Sequence, residues 1–251
     1  MKFILPLLFL LAAAASAGTP KYSPAGGALA VPVSQDNVYF RNPANPAYDY
    51  WSLSGFYTPQ TTGASCSAAS VSMALNALLN ARRDRGDEEE NITEGKLVEK
   101  VSGLPWKALV SAEGADGRHG LTLAQLAAAS KEALAAYGAV EFSVSSVTVS
   151  TQSASALESF RRALAGNERN PQDIMLLHFA QDALTGAPGG PFPHISPGGA
   201  YDEKTRRVLI FDVDRQWYEP YWAADVQVFK AMAVKTEAFG RGGYVLIKIG
   251  N

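Results

Sequence analysis

The chain contains a single cysteine, Cys66, whose position suits a nucleophile. An aromatic and polar segment from Tyr57 to Gln60 precedes it, and the apolar stretch that follows predicts a buried helix. A thiol at the first turn of a helix has its thiolate stabilised by the helix dipole and by free backbone N–H groups. The thiolate is the reactive form of cysteine in covalent catalysis. A free cysteine can also be a small buried hydrophobic residue, and composition alone leaves both interpretations open.

A cysteine nucleophile needs a base, and the chain offers three histidines. His119 lies in a polar turn, where we expect an exposed loop residue. His178 lies inside the apolar run from Ile174 to Phe179, where we expect a hydrogen-bonded structural histidine on a strand. His194 follows a segment rich in Gly and Pro and begins a predicted strand. Catalytic groups are commonly found at such loop-to-strand junctions, so His194 is the favoured base.

The base needs an orienting group, and Asp212 is the candidate. It lies in an apolar segment, where a carboxylate is costly unless it is paired. If a turn at Asp202 to Lys204 joins two antiparallel strands, His194 and Asp212 are placed to meet. A salt bridge from Asp212 to Arg215 or another cation is the alternative. Gln60, six residues before Cys66, is the candidate side-chain donor to an oxyanion, together with the Cys66 backbone N–H.

The spacing of apolar residues predicts the elements that position these side chains. Helices are predicted from Cys66 onwards, over Leu121 to Tyr137, over Ala154 to Leu164, and around Val226 to Met232. Strands are predicted over Ala139 to Val149 with a bulge or break at Ser145-Ser146, over Ile174 to Phe179, from His194 towards Tyr201, over Val208 to Val213, and over Tyr244 to Ile249. The segment from Pro20 to Pro46 is expected to be an irregular arm. Helices first and strands afterwards predict an α+β domain with helices packed on an antiparallel sheet.

The N-terminus predicts a secretory signal peptide over residues 1–17. Lys2 precedes an apolar run from Phe3 to Ala14, and Ala15-Ser16-Ala17 resembles a cleavage site. A membrane anchor is the alternative, but spanning the hydrocarbon core takes about 20 residues. We therefore expect a periplasmic or secreted protein with one domain over residues 18–251. In an oxidising compartment cysteines usually pair, so a cysteine without an internal partner favours a functional interpretation.

The net charge of −2 argues against nucleic acid or an anionic membrane as a partner, because both require clustered Lys and Arg. The mixed-sign run from Arg82 to Glu90 is expected to be a solvated loop. No membrane association is expected once the signal peptide is removed.

Several segments resemble the motifs of phytochelatin synthases in the same order, over roughly Ala47 to Ile249. The first is Gln60 followed by Cys-Ser-Ala-Ala-Ser and an apolar helix that ends in Leu-Asn-Ala-Leu at residue 78. The second is His-Ile-Ser-Pro-Gly-Gly-Ala-Tyr from His194, and the third is the apolar strand that ends in Asp-Val-Asp-Arg at residue 215. Weaker similarities are Asp49 to Leu53, Trp217 to Trp222 and Arg241 to Tyr244.

This resemblance implies a papain-like cysteine protease fold. It implies Cys66 as nucleophile, His194 as base, Asp212 as its orienting group and Gln60 as oxyanion donor. It further suggests substrate-binding roles for Arg215, Tyr218 and Arg241. Members of the family attack the Cys–Gly amide of glutathione and release glycine. The γ-Glu-Cys acyl group then passes to a second glutathione, giving phytochelatin, or to water.

The chain departs from the family pattern in ways that bear on the reaction. Ser67 replaces the glycine after the nucleophile, and Arg241-Gly242-Gly243-Tyr244 has an additional glycine. The cysteine-rich extension of plant members is absent, so we expect no protein-bound cofactor. A heavy metal such as Cd²⁺ or Zn²⁺ would enter as a metal-thiolate substrate. These features and export favour hydrolysis of glutathione or its conjugates over phytochelatin synthesis.

Two other functions remain as alternatives. One is a papain-like peptidase that acts on a different peptide or isopeptide, such as a leader peptide. The other is a secreted binding module without catalysis, although a degenerate copy would typically have lost one of the catalytic residues. Members of the family can form homodimers. This sequence shows no apolar stripe that would indicate a dimer interface.

Overall fold

The computed structural model describes residues 30–79, 91–237 and 239–250. The helices are α1 (Val38–Arg41), α2 (Tyr48–Ser54), α3 (Cys66–Leu79), α4 (Glu94–Lys100), α5 (Trp106–Leu109), α6 (Leu123–Ala136), α7 (Ala154–Glu168), α8 (Asp182–Thr185) and α9 (Asp225–Ala233). The strands are β1 (Val31–Pro32), β2 (Phe142–Thr148), β3 (Asp173–Ala180), β4 (Pro193–Asp202), β5 (Arg207–Ile210), β6 (Tyr221–Ala224), β7 (Lys235–Thr236), β8 (Gly240–Arg241) and β9 (Gly243–Ile249). In this part of the chain, no helix combines the length and the apolar character needed to cross a membrane. The predicted signal peptide and the charged run from Arg82 to Glu90 lie outside the described residues.

One antiparallel sheet organises the domain. Within the described residues its seven strands follow the order β1-β6-β5-β4-β3-β9-β2, and β7 pairs separately with β8. Every residue of β3 is buried, because helices cover both faces of the sheet. Ile174 and Leu176 point into the core that contains α3 and α6, whereas Met175 and Leu177 point into the core on the other face, which includes residues of α7 and α9. The predicted α+β architecture with an antiparallel sheet is confirmed.

Helix α3 is buried along almost its whole length, with Ala77 as its only partly exposed residue. Its apolar residues occur on every side, which agrees with a helix enclosed by protein. The Ser70 hydroxyl donates a 2.9 Å hydrogen bond to the backbone oxygen of Ile195 in β4. The helix that begins at Cys66 therefore packs directly on the strand that carries His194.

The predicted strand over Val208 to Val213 is shorter in the structure and ends at Ile210. The β4–β5 ladder has an irregularity between Gly198 and Ala200, and the Phe211 backbone N–H donates to Pro197 instead of continuing the regular pairing. The Phe211 ring packs so closely over Gly199 that a Cβ there would lie 2.5 Å from the ring. Asp212 consequently lies beyond the strand, where local packing determines its direction.

The bulge or break predicted at Ser145-Ser146 is not present. Strand β2 pairs with β9 without interruption from Phe142 to Thr148. The change in hydrophobic phase instead leaves Val147 on the outer face with 45% exposure. An edge strand tolerates this, because one of its faces meets solvent.

The additional glycine near the C-terminus has a packing reason. A Cβ at Gly242 would lie 2.0 Å from the His178 carbonyl oxygen, and one at Gly243 would lie 2.0 Å from the Val147 carbonyl oxygen. Both positions therefore bring two backbones closer than a side chain permits.

The N-terminal arm is more ordered than the prediction of irregular structure over Pro20 to Pro46. In its described part, β1 pairs with β6, and α1 follows a turn. The Tyr39 ring of α1 packs edge-on against Trp222 at a centroid distance of 5.5 Å. These contacts attach the arm to the edge of the sheet.

Candidate active site

Cys66 is the first residue of α3 and borders a cavity of about 870 Å³. Its side chain is almost completely buried, with 7% of the residue exposed. The segment before it forms a tight turn, since the Ser65 hydroxyl accepts 3.0 Å hydrogen bonds from the backbone N–H groups of Thr61 and Thr62. The sulfur thus lies where a buried helix begins and a cavity opens.

His194 lies at the start of β4 and lines the same cavity. Its Nε2 is 2.8 Å from an Asp212 carboxylate oxygen, which leaves Nδ1 as the ring nitrogen available to the thiol. Phe179 on the neighbouring strand packs edge-on against the ring at 5.8 Å between centroids. The structure therefore brings Cys66 and His194 to one cavity and pairs His194 with Asp212, which lies outside the cavity lining.

The electrostatics of this group follow from burial and pairing. Burial by itself lowers the pKa of His194, but the Asp212 charge and the nearby Cys66 outweigh it and raise this pKa well above its usual value. Burial by itself raises the pKa of Asp212, but the His194 charge and several hydrogen bonds outweigh it and lower this pKa. The arrangement therefore favours an imidazolium beside a carboxylate.

Gln181 and Tyr221 complete the surroundings of Asp212. The Gln181 amide lies 3.1 and 2.9 Å from the two carboxylate oxygens, and the Tyr221 hydroxyl donates at 2.8 Å. The backbone N–H of Asp214 adds a bond of 2.9 Å. Neither side chain was predicted to contact Asp212, although Gln181 is a polar residue directly after an apolar strand and Tyr221 belongs to the Trp217 to Trp222 segment.

Arg215, the alternative partner for Asp212, contacts Tyr57 instead. Its guanidinium donates to the Tyr57 carbonyl oxygen at 3.0 Å and stacks 4.6 Å from the centre of the Tyr57 ring. It does not belong to the lining of the cavity. Arg215 instead supports the Tyr57 side chain, whose hydroxyl donates to the Asp212 backbone oxygen at 2.6 Å.

The other two residues suggested for substrate binding have different positions. Tyr218 lines the cavity, with its hydroxyl 3.3 Å from the Thr185 hydroxyl. Arg241 lies in β8, outside the cavity lining, and its guanidinium donates to the Ala233 carbonyl oxygen. The structure thus places Tyr218 at the cavity and Arg241 away from it.

Gln60 lines the cavity close to Cys66 in sequence and is fixed through its backbone. Its N–H donates to the Val213 carbonyl oxygen at 2.8 Å. Its side-chain Oε1 is buried and has no hydrogen-bond partner among the described residues. Thr61, the next residue, donates from its backbone and hydroxyl to the Glu94 carboxylate at 3.0 and 2.7 Å. The unpaired Oε1 can accept a hydrogen bond from a bound molecule, whereas an oxyanion would be bound by the Nε2 hydrogens of the same amide.

His119 and His178 also line the cavity. His119 is exposed in the loop, whereas His178 is buried on β3 with Nε2 3.3 Å from the Leu121 carbonyl oxygen. Burial lowers the pKa of His178 to about 4, so its imidazole is neutral near pH 7. Within the residues that the structure describes, no group of three or more His, Cys, Asp or Glu side chains is arranged to hold a metal ion.

Ser67, which stands where the family pattern has glycine, is fully buried. Its hydroxyl accepts a 2.9 Å hydrogen bond from the Trp106 indole N–H. The serine therefore satisfies a buried donor and ties the start of α3 to α5, without removing space from the cavity, whose lining does not include it.

Comparison with known proteins agrees with the motifs. A family model described as phytochelatin synthase matches residues 32–244, a span that contains Gln60, Cys66, His194 and Asp212. A search of curated proteins gives no match. The family model covers most of the chain, and the chain therefore belongs to the phytochelatin synthase family.

Proposed function

We propose that this protein is an exported, cysteine-dependent hydrolase or transferase that cleaves the Cys–Gly amide of glutathione or its conjugates. The observation that carries the proposal is that Cys66 and His194 line one cavity and that His194 pairs with Asp212, whose carboxylate also accepts a hydrogen bond from Tyr221. Membership in the phytochelatin synthase family supports glutathione as the substrate. The predicted signal peptide supports a periplasmic or secreted location.

The proposed fold is papain-like. A buried helix that begins at the cysteine packs on an antiparallel sheet that carries the histidine, which agrees with this assignment. The proposed roles are Cys66 as nucleophile, His194 as acid and base, Asp212 as its orienting group and Gln60 as oxyanion donor.

In the proposed reaction, the Cys66 thiolate attacks the carbonyl carbon of the Cys–Gly amide. The Gln60 amide and the Cys66 backbone N–H donate to the oxyanion that forms. The C–N bond then breaks, and the glycine nitrogen leaves with the proton from His194. The product on the enzyme is a γ-Glu-Cys thioester of Cys66.

Water completes hydrolysis by attacking the thioester carbonyl while His194 accepts its proton. The C–S bond breaks, γ-Glu-Cys leaves, and the Cys66 sulfur is restored. If the amino group of a second glutathione attacks instead, the product is phytochelatin. We favour hydrolysis, because an exported enzyme acts apart from the cytoplasm, where metal-detoxifying polymer would be made. Apolar residues of the cavity, including Phe192, Trp217 and Phe239, could contact a group carried on the substrate sulfur.

Incubation of the purified mature protein with glutathione tests the proposal. Mass spectrometry should detect free glycine and γ-Glu-Cys from the wild type and none from Cys66→Ala. His194→Ala should reduce the rate by about 10²- to 10⁴-fold, the usual effect of losing a general acid or base. Absence of glycine release from the wild type would refute the proposal. Addition of Cd²⁺ or Zn²⁺, followed by a search for (γ-Glu-Cys)₂-Gly, separates transfer from hydrolysis.

A further inference from the structure

Besides the His194 imidazolium, an arginine that the sequence motifs did not indicate brings positive charge to the cavity. Arg118 is the one lysine or arginine among the described residues that line the cavity. It lies in a loop and is followed directly by His119 and Gly120, which also line the cavity. The two arginines suggested by family resemblance, Arg215 and Arg241, lie outside the lining.

The backbone that presents Arg118 is well defined. Ala115 and Arg118 exchange two backbone hydrogen bonds of 2.9 and 3.0 Å. Asp116 and Gly117 between them adopt left-handed conformations with φ of 52° and 71°. These bonds form a tight turn that fixes where the side chain begins, and Arg118 as a whole is exposed.

The guanidinium of Arg118 has no hydrogen-bond or ion-pair partner in residues 30–79, 91–237 and 239–250. Arg215 and Arg241, in contrast, each donate to a backbone carbonyl oxygen. Arginine matches a carboxylate in a two-bond geometry, and an arginine that is already bound to the protein is less available for this role. Among the described lining residues, Arg118 is therefore the permanently charged cation that a bound anion can reach, in addition to the His194 imidazolium that is paired with Asp212.

Two other lining groups can meet an anion, the His194 imidazolium and the Gln60 amide, but the proposed reaction uses both of them at the Cys–Gly amide. The buried His178 is neutral near pH 7, because burial lowers its pKa to about 4. Asp214 lines the same cavity and repels negative charge. Apolar side chains, including Pro188, Phe192 and Trp217, supply much of the remaining lining. A ligand with a carboxylate would gain most by directing it towards Arg118.

We infer that Arg118 binds a carboxylate of the peptide substrate and selects for substrates that carry one. The inference rests on the proposed function, since glutathione has two carboxylates, one on its glycine and one at the α-carbon of its γ-glutamyl residue. Binding either of them would fix the position of the tripeptide along the cavity. A fixed position places the Cys–Gly amide over Cys66 and reduces the entropy cost of reaction.

Binding to an inactive protein separates this inference from the proposed chemistry. Glutathione is titrated by calorimetry into Cys66→Ala and into the same protein with Arg118→Ala. Because solvent screens a pair formed by an exposed arginine, we expect the loss of Arg118 to weaken binding by about fivefold. Arg118→Lys should retain part of the affinity. Arg162→Ala removes an exposed arginine of α7 that does not line the cavity and should bind like the parent.

Two amidated ligands identify which carboxylate is bound. One is glutathione amidated at glycine, and the other is glutathione amidated at the α-carboxylate of the γ-glutamyl residue. The analogue that lacks the relevant carboxylate should bind weakly to Cys66→Ala and lose nothing further with Arg118→Ala. Equal glutathione affinity with and without Arg118, or the same loss for both analogues in both proteins, would overturn the inference. Failure of Cys66→Ala itself to bind glutathione would overturn the proposed function, and this inference with it.

Discussion

At the scale of single residues, Asp212 has an unusually complete set of donors. A buried carboxylate is expensive unless its oxygens accept hydrogen bonds. Here it receives them from His194, Gln181, Tyr221 and a backbone N–H. Because these donors come from different parts of the chain, they hold the carboxylate in one position. They also stabilise its ionised form. The direction of the His194 ring follows from that position.

The charge of Asp212 can be tested through the pH dependence of catalysis. Asp212→Asn preserves the size of the side chain but removes the charge that raises the pKa of His194. The imidazolium should then lose its proton at lower pH, so the basic limb of the kcat/KM profile should move to lower pH. We also expect kcat/KM to fall at least about tenfold, since the ring is less well oriented.

Rates of glycine release across the pH range measure this shift. Asp36→Asn is the matched control, because Asp36 pairs with Arg207 and is not part of the cavity lining. Its profile should match that of the wild type. An unchanged basic limb in Asp212→Asn would show that Asp212 does not control the protonation of His194.

At the scale of elements, the segment that carries Gln60 is fixed from several sides. The Val213 carbonyl binds the Gln60 N–H, and the first residue of α4, Glu94, binds Thr61 twice. The Thr62 hydroxyl donates to the Val110 carbonyl oxygen at 2.6 Å. A helix distant in sequence therefore helps to place the proposed oxyanion donor.

Removal of the Glu94 carboxylate should disturb Gln60 without touching the substrate. Glu94→Ala is expected to lower kcat about tenfold with little change in KM, because the oxyanion is stabilised mainly in the transition state. Glu94→Gln retains an acceptor for Thr61 and should recover part of the loss. Glu99→Ala on the same helix removes an exposed carboxylate and should have no effect. A rise in KM alone would contradict a positioning role for Glu94.

At the scale of the whole molecule, three buried acids connect the N-terminal helices to the sheet. Asp49 lies in α2, Glu168 at the end of α7 and Asp173 at the start of β3. Glu168 accepts hydrogen bonds from the Tyr39 hydroxyl and from the backbone N–H groups of Ala47 and Tyr201. Burial raises the pKa of all three acids, and repulsion from the other two raises that of Asp49 further.

A raised pKa in the folded protein gives a definite sign to the pH dependence of stability. The stabilisation is complete below the ordinary carboxyl pKa and is lost as pH rises through the higher folded value. Asp49→Asn mimics the protonated form and should raise the free energy of unfolding at pH 7. The gain should follow the size of the pKa shift, because a pKa difference between the folded and unfolded states is a difference in stability.

Thermal unfolding at several pH values measures this effect. The difference between Asp49→Asn and wild type should shrink as pH falls, because wild-type Asp49 then becomes neutral as well. Glu203→Gln removes an exposed carboxylate that pairs with Arg169 and should change stability little. Equal destabilisation by Asp49→Asn at every pH would mean that the carboxylate makes an essential bond.

The sequence by itself predicted the longer helices and strands, because local hydrophobic periodicity reflects which faces are buried. It gave the pairing of His194 with Asp212 as one of two alternatives, the other being a salt bridge to Arg215 or another cation, and the family resemblance favoured the first. The family assignment is confirmed over residues 32–244. The order of the motifs along the chain is enough to recognise the family, even when the packing of the elements is unknown. Phe211 to Val213 were assigned to a strand because their apolar character does not show that Phe211 leaves the ladder to pack on Gly199.

Only the tertiary structure decided which side chains surround the chemistry. Gln181 and Asp212 are 31 residues apart and meet because β4 lies between their strands, a contact that no local pattern encodes. The sequence also did not show which arginine side chains are free to bind a substrate carboxylate. Arg215 and Arg241 are bound to backbone carbonyls, while a tight turn presents Arg118 at the cavity. Periodicity determines which face of an element is buried, but the direction of a long charged side chain depends on the acceptors that folding places around it.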